Sequence, residues 1–429
     1  MNNTSLDLRI ENLGECHIPS SLSGIPFVTD EDHVLYHFNL KEIESYLKAG
    51  KKPPRFEMAG PREKIYFDPL KLKCGIVNCG GLCPGLNDVI RAIVMALFYH
   101  YGVKNVYGFR YGYEGLSHKY SHPPLELNPD VVDNIHKLGG TILGSSRGPQ
   151  ESSDIVDTLE RMNIRILFTI GGDGTLLGAQ KICEEIKKRN IKISVIGIPK
   201  TIDNDISYIE HSFGFETAVS ESRTAIYSAH AEAHGVRNGV GLVKLMGRHS
   251  GFIAAYASLA NNDVNFCLVP EIPFKLKAFL EALRTRLTAR GHAVIVVAEG
   301  VGQDLINRPQ KRDKSGNIIL KDIGIFLRDR IRSFFEKIGM EVNLKYIDPS
   351  YTIRSVPANP HDSAFCLLLG HNAVHAGLTG RTNMLIGYWK GQFTHLPIPL
   401  AVSKRKQIDP EGRLWSNVLS CTGQPKIML

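Results

Sequence analysis

Five times between Leu72 and Gly339 an apolar run without polar alternation is followed by a stretch of helical period, and this repetition constrains the fold more than any other feature of the chain. The pairs are CGIVNCGG with NDVIRAIVMALFYH, RILFTIGGDG with TLLGAQKICEEIKKR, VGLVKLMG with SGFIAAYASLA, VNFCLVP with KLKAFLEALRTRLTAR, and HAVIVVAEG with KDIGIFLRDRIRSFFEKIG. A strand with one wet face alternates apolar and polar residues; uninterrupted Val, Ile and Leu runs predict parallel strands covered on both faces by helices. The expected architecture is therefore α/β and doubly wound, in two sheets. A chain of 429 residues, 43% hydrophobic and 22% charged, has the composition of a globular protein with room for two or three domains. Residues 1–70, punctuated by IPSSLSGIP and KKPPRFEMAGPRE, lack the repeat and read as an extension wrapped on the main body.

The net charge of +8 is scattered, with short clusters only at KAGKKPPR and SKRKQ, which suits phosphorylated metabolites better than nucleic acid. Eight cysteines show no CxxC or zinc-knuckle spacing and read as reduced, mostly buried thiols. No signal-peptide core, membrane span or peroxisomal address is legible, so the cytoplasm is the expected location.

In doubly wound sheets, ligands sit beyond the carboxyl ends of the strands, so the chemistry is sought in the strand-to-helix turns. In FTIGGDGTLLGA, Gly171, Gly172 and Gly174 allow a tight turn whose amides can face an anion over the helix from Thr175. A carboxylate there, Asp173, would repel bare phosphate but makes sense if it holds Mg²⁺ bridging phosphoryl oxygens. The same residues also suit a tight turn with no ligand. NCGGLCPGLND repeats the pattern with Gly80 and Gly81. Neither turn is a Walker loop, and GxGxxxG departs from the dinucleotide fingerprint, which disfavours a nicotinamide dehydrogenase. GIPKTIDND places Lys200, Thr201, Asp203 and Asp205 at another strand end: a cation, a hydroxyl, a base and a second carboxylate, or simply acids that cap a turn. Arg147 in GGTILGSSRGP and Arg248 in MGRHSG are further candidate cations. His371 and His375 of HNAVH stand at i, i+4, but without an evident third ligand they read as a helix surface.

Taken together and in order, GGLCPGLN, GGTILGSSR, GGDGT, PKTIDND, MGRHSGFIA and PEIPF closely resemble the 6-phosphofructokinase family over roughly residues 72–400. GGDGT alone also occurs in NAD kinases and diacylglycerol kinases, which lack the TIDND and MGR elements. The resemblance implies Mg²⁺-dependent transfer of a phosphoryl group to the 1-hydroxyl of fructose 6-phosphate, a step of glycolysis. By motif position, Asp203 is implied as general base, Thr201 as a contact to sugar and moving phosphoryl group, and Asp173 and Asp205 as metal carboxylates. Arg248, Arg147 and Lys200 are implied to steady charge, and Gly81, Gly172, Gly174 and Thr175 to line the donor phosphates. Met246, Gly247, Arg248 and Glu271, with Lys345, Tyr351 and Arg354 of KYIDPSYTIR, are implied to hold the sugar phosphate. At those last three positions bacterial members carry arginine, histidine and arginine, so charge and hydrogen bonding are kept but the fork geometry at 345 is not.

Two further departures bear on function. The position of the bacterial arginine that reaches a neighbouring subunit's substrate is Gly239 here, with Arg237 two residues earlier as the candidate replacement. Glycine at 174 leaves room for a nucleotide, whereas Lys200 is usual in pyrophosphate-dependent members; the combination resembles the ATP-dependent branch of trypanosomatids and other protists. ATP is thus the expected donor, with a pyrophosphate-dependent enzyme and a non-catalytic sugar-phosphate sensor as alternatives. The resemblance also implies an extension over 1–70, a donor domain of 71–213 with 353–405, a sugar-phosphate domain of 214–352 with 406–429, and a homotetramer whose interfaces allow allostery.

Overall fold

The computed structural model describes residues 6–306, 311–312 and 318–429. They divide into two compact units, one of residues up to Thr201 with Ile206–Gly214 and Pro357–Arg405, the other of Ile202–Asp205, Phe215–Val356 and Lys406–Leu429. Residues 202–205 and 353–356, expected with the donor domain, therefore group with the second unit.

The first unit is built on a nine-stranded sheet in the order His33–Leu35, Arg55–Met58, Gln392–Pro397, Met384–Trp389, Ser194–Pro199, Ile166–Gly171, Lys73–Asn78, Asn105–Phe109, Leu125–Leu127. The five strands from Met384–Trp389 to Asn105–Phe109 are parallel, and antiparallel strands close both flanks. Ile166–Gly171 and Ser194–Pro199 are buried at every residue, as uninterrupted apolar strands must be when helices cover both faces. The chain lays down Lys73–Asn78, steps outward to Asn105–Phe109, then returns to place Ile166–Gly171 on the other side. That reversal makes a topological switch point between Lys73–Asn78 and Ile166–Gly171, where strand ends part and a crevice opens.

The segment before Leu72 does more than wrap this body. Its strands His33–Leu35 and Arg55–Met58 extend the sheet by pairing in sequence onto Gln392–Pro397. An ion cluster locks them down: Glu57 accepts from the buried Arg381 (2.5 Å), Arg62 (3.2 Å) and the ring of His395 (3.0 Å), and Arg381 and Arg62 both reach the exposed Asp30. HNAVH also differs from expectation: His375 is buried, with Nδ1 2.8 Å from the Tyr101 hydroxyl, and His371 packs against His100. The long helix Pro360–Leu378 is covered on more than one side, so its histidines meet packing partners that no local period reveals.

The second unit holds an all-parallel sheet ordered Phe266–Leu268, His292–Ala298, Gly239–Leu245, Asn343–Ile347. Helices Phe215–His234 and Ile323–Lys337 pack against it, the latter capped by Asp322, whose side chain accepts from the Ile325 amide. Among the described residues, no helix is long and apolar enough to cross a membrane.

Candidate active site

In the first unit, turns far apart in sequence meet at the switch point. The Cys79 amide donates to Ile170 O (3.0 Å), carrying the chain after Lys73–Asn78 alongside the end of Ile166–Gly171. Ser145 Oγ donates to Gly80 O (2.6 Å) and the Gly80 amide to Ser146 O (3.1 Å), which brings GGTILGSSR and its exposed Arg147 to the same turn. Lys200 ties the set together: its amide donates to Gly171 O (3.0 Å) and its buried ammonium to Gly81 O (2.7 Å). Sequence reading took Lys200 as a cation facing phosphate; the structure has it bracing one glycine turn against the other.

The GGDG turn is shaped by close approach. A Cβ at Gly171 would lie 2.1 Å from Thr175 Oγ1, so only glycine lets the first helical turn fold back on the strand end. Gly172 caps the helix Asp173–Lys188, whose N-terminus opens on the turn and favours anions. Around Gly174 the situation is reversed: nothing lies within 4 Å of a Cβ built there, so the protein itself leaves that space. Asp173 Oδ2 accepts from Arg405 Nε at 2.8 Å. Arg405 was missed by sequence reading, although SKRKQ marked the cluster that contains it. Thr201, the last residue of this stretch, receives the Ser212 hydroxyl on its carbonyl oxygen (2.6 Å).

In the second unit the expected strand-end residues lie beyond the carboxyl ends of three of the four parallel strands, with one exception. Met246, Gly247 and Arg248 follow Gly239–Leu245, Glu271 lies beyond Phe266–Leu268, and Tyr351 and Arg354 follow Asn343–Ile347. Lys345 instead lies within its strand, paired with Gly241, exposed and on the face opposite Tyr346. Asp203 Oδ2 accepts from the Arg248 amide (3.4 Å). Burial, then the negative charges of Asp205 and Glu299, push the Asp203 carboxyl well above the usual carboxylate range. Burial likewise raises Glu299, against the pull of Arg248, Lys244 and Arg354. Glu299 was not singled out from sequence because HAVIVVAEG reads as one more strand end.

Several of these side chains also hold the unit together. Glu271 accepts the Gly251 amide on both oxygens (3.0 and 3.1 Å) at the start of Phe252–Ala260, and the Ile408 amide (3.0 Å). The Arg248 guanidinium donates to Ile318 O. Arg354 stacks over the Tyr351 ring at 4.9 Å, and its buried Nε has no hydrogen-bond partner among the described residues. Lys244, also unforeseen, is buried and donates to Asp322 and Asp348 at 2.7 Å each. Burial alone would lower its pKa, but the two hydrogen bonds outweigh it and raise it. This clamp fixes Asp348, at the head of the turn that carries Tyr351 and Arg354.

The Gly239 position has a steric cause: a Cβ there would lie 2.0 Å from Ala233 O, so no arginine fits. Arg237 is exposed and precedes Gly239–Leu245, so it stands at the opposite end of that strand from Met246.

The phosphofructokinase profile matches residues 73–377. An ATP-dependent 6-phosphofructokinase of Borreliella burgdorferi is 50% identical over 99% of this chain and 98% of its own length. Those of Amycolatopsis methanolica (46%, over 98% of this chain and 95% of theirs) and Trypanosoma cruzi (45%, 98% and 88%) are similar along nearly the whole length. A pyrophosphate-dependent phosphofructokinase structure from Marinobacter aquaeolei superposes with a TM-score of 0.68 at 19% identity, over 82% of this chain and 92% of that one, a likeness of fold. With a family profile over most of its length and relatives 45% to 50% identical over 98% or more of it, the chain belongs to the phosphofructokinase family.

Proposed function

We propose that this protein is an ATP-dependent 6-phosphofructokinase, transferring the γ-phosphoryl group of ATP to the 1-hydroxyl of fructose 6-phosphate. The observation that carries this reading is the switch-point cradle, in which Gly80–Gly81, Gly171–Thr175 and Lys200 are hydrogen-bonded into one turn cluster with open space at Gly174. Gly81, Gly172, Gly174 and Thr175 line the donor phosphates, with Arg147 supplying charge. Asp173 in the first unit and Asp205 in the second are each a hard oxygen donor of the kind that would hold Mg²⁺, which would supply charge neutralisation during phosphoryl transfer. In the second unit Asp203 takes the proton of the 1-hydroxyl, and its raised proton affinity makes it a better base than an ordinary aspartate. Thr201 positions the attacking hydroxyl and Arg248 stabilises the transferred charge. Met246, Gly247 and Glu271 hold the sugar, and Arg354 with Tyr351 takes the 6-phosphate, ahead of Lys345, which is exposed in mid-strand and not beyond the strand's carboxyl end.

The test is fructose 1,6-bisphosphate formation by purified protein with Mg²⁺ and fructose 6-phosphate, given ATP or pyrophosphate at equal concentration. Turnover with ATP and not pyrophosphate supports the reading; turnover with pyrophosphate alone refutes the assignment of donor. A homotetrameric, cytoplasmic enzyme is part of the same proposal, supported by family membership, and checked by light scattering and cell fractionation.

A further inference from the structure

A second cluster of ligand-type side chains lies in the first unit, formed by residues to which none of the roles above is given. His211, His361 and Asp362 each present one donor atom, all within 4.8 Å of one another; no other trio of His, Cys, Asp or Glu among the described residues meets that condition. His211 Nε2 stands 3.6 Å from Asp362 Oδ1, with the aspartate side chain 0% and the imidazole 14% exposed. The His211 ring is held edge-on by Phe365 (4.8 Å between centroids, 90°) and by His361 (5.4 Å, 89°). Asp362 is fixed in turn, since its amide donates to Asn359 Oδ1 (2.8 Å) at the start of Pro360–Leu378. His361 is exposed in the same first turn and can rotate.

Tetrahedral zinc with ligands at about 2.0–2.2 Å sets donor atoms about 3.3–3.6 Å apart. The His211–Asp362 pair is already near that spacing, and a side-chain rotation brings the His361 ring in as a third ligand. Two imidazoles and one carboxylate form a borderline donor set that prefers Zn²⁺, Co²⁺ or Ni²⁺ to Mg²⁺, which takes oxygen. We propose that His211, His361 and Asp362 form a binding site for a transition-metal ion, with a fourth position left to water. Occupancy would tie residues 211–213 to the helix Pro360–Leu378. The next residue, Ser212, holds the Thr201 carbonyl, and Phe213 bridges to Lys200, so the constraint passes to the residues that serve phosphoryl transfer. Only this last step rests on the function proposed above.

Metal-free full-length protein is titrated with Co²⁺, followed by visible absorption, and with Zn²⁺ by calorimetry, for the wild type and His361→Ala. One equivalent is expected to bind with the intense bands of a low-coordinate Co²⁺ site, to survive excess Mg²⁺, and to weaken at least about tenfold in the variant. Equal affinity and spectrum in His361→Ala, or displacement by Mg²⁺, would place the ion elsewhere and overturn the site. In kinase assays Zn²⁺ should lower wild-type turnover and leave His361→Ala, whose basal rate is unchanged, unaffected. Equal inhibition of both would remove the link to Thr201, while absence of any turnover would count against the proposed reaction and not against metal binding.

Discussion

Replacing Gly174 by aspartate tests the donor assignment with little disturbance of the protein. No atom lies within 4 Å of a Cβ at this position, and Gly174 stands in the first turn of Asp173–Lys188, where a carboxylate suits the helix dipole and almost any residue is a better helix former than glycine. The variant should therefore fold as stably as the parent, within about 1 kcal/mol. Arg405 is already engaged by Asp173 at 2.8 Å, so the new charge faces whatever fills the open space. If that is a nucleotide phosphate about 5 Å away, a unit repulsion at an effective dielectric of about 20 costs about 3 kcal/mol, or on the order of 10²-fold in affinity. Steady-state kinetics with ATP varied at saturating fructose 6-phosphate should show this as a rise in KM for ATP, with a smaller rise for Gly174→Ala, which adds volume without charge. A correctly folded Gly174→Asp enzyme with unchanged KM for ATP would refute the idea that this glycine makes room for the donor.

Asp203→Asn should lower kcat by roughly 10²- to 10⁴-fold with the fold kept. Because the Asp203 carboxyl is raised and must be ionised to act, kcat/KM of the wild type should fall as pH drops through a pKa above the usual carboxylate range, and the variant should lose that limb. Glu57→Ala should cost up to about 3–5 kcal/mol in denaturant unfolding, since it leaves the buried Arg62 and Arg381 with the exposed Asp30 as their remaining carboxylate. Burial works to raise Glu57, but His395 and Arg381 hold its pKa down to about 2, so its contribution is present above the unfolded value of about 4.3 and should be lost as pH falls from there toward 2. Lys244→Met removes the cation between Asp322 and Asp348; KM for fructose 6-phosphate should rise more than kcat falls, and a pure kcat effect would contradict a role in placing the Tyr351–Arg354 turn.

The candidate residues of the two units were legible to different depths. Glycine-rich turns after apolar runs announce themselves because tight turns and close approach leave few residue choices, and Gly171 against Thr175 is such a case. Arg405, Glu299 and Lys244 carry no such mark, since a charged residue at a strand end or in a loop looks the same whether it faces water or a neighbouring carboxylate. Lys200 was recognised as important, yet its partner, the Gly81 carbonyl, lies 119 residues away and no spacing predicts it. His375 misled for the same reason: its period suits a surface, and Tyr101, 274 residues distant, buries it.

By itself the sequence determined that parallel strands alternate with covering helices, because uninterrupted apolar runs have no stable alternative to burial on both faces. It also determined that the chemistry sits in the glycine turns and acidic strand ends. Strand order was decided only in the tertiary structure. The return of Ile166–Gly171 to the far side of Lys73–Asn78 makes the switch point, and the short strands before residue 60 join the sheet because Glu57 finds Arg381, 324 residues onward. Local pattern fixes which residues must be buried; which of them meet depends on long-range pairing, where charge, shape and chain closure are satisfied together.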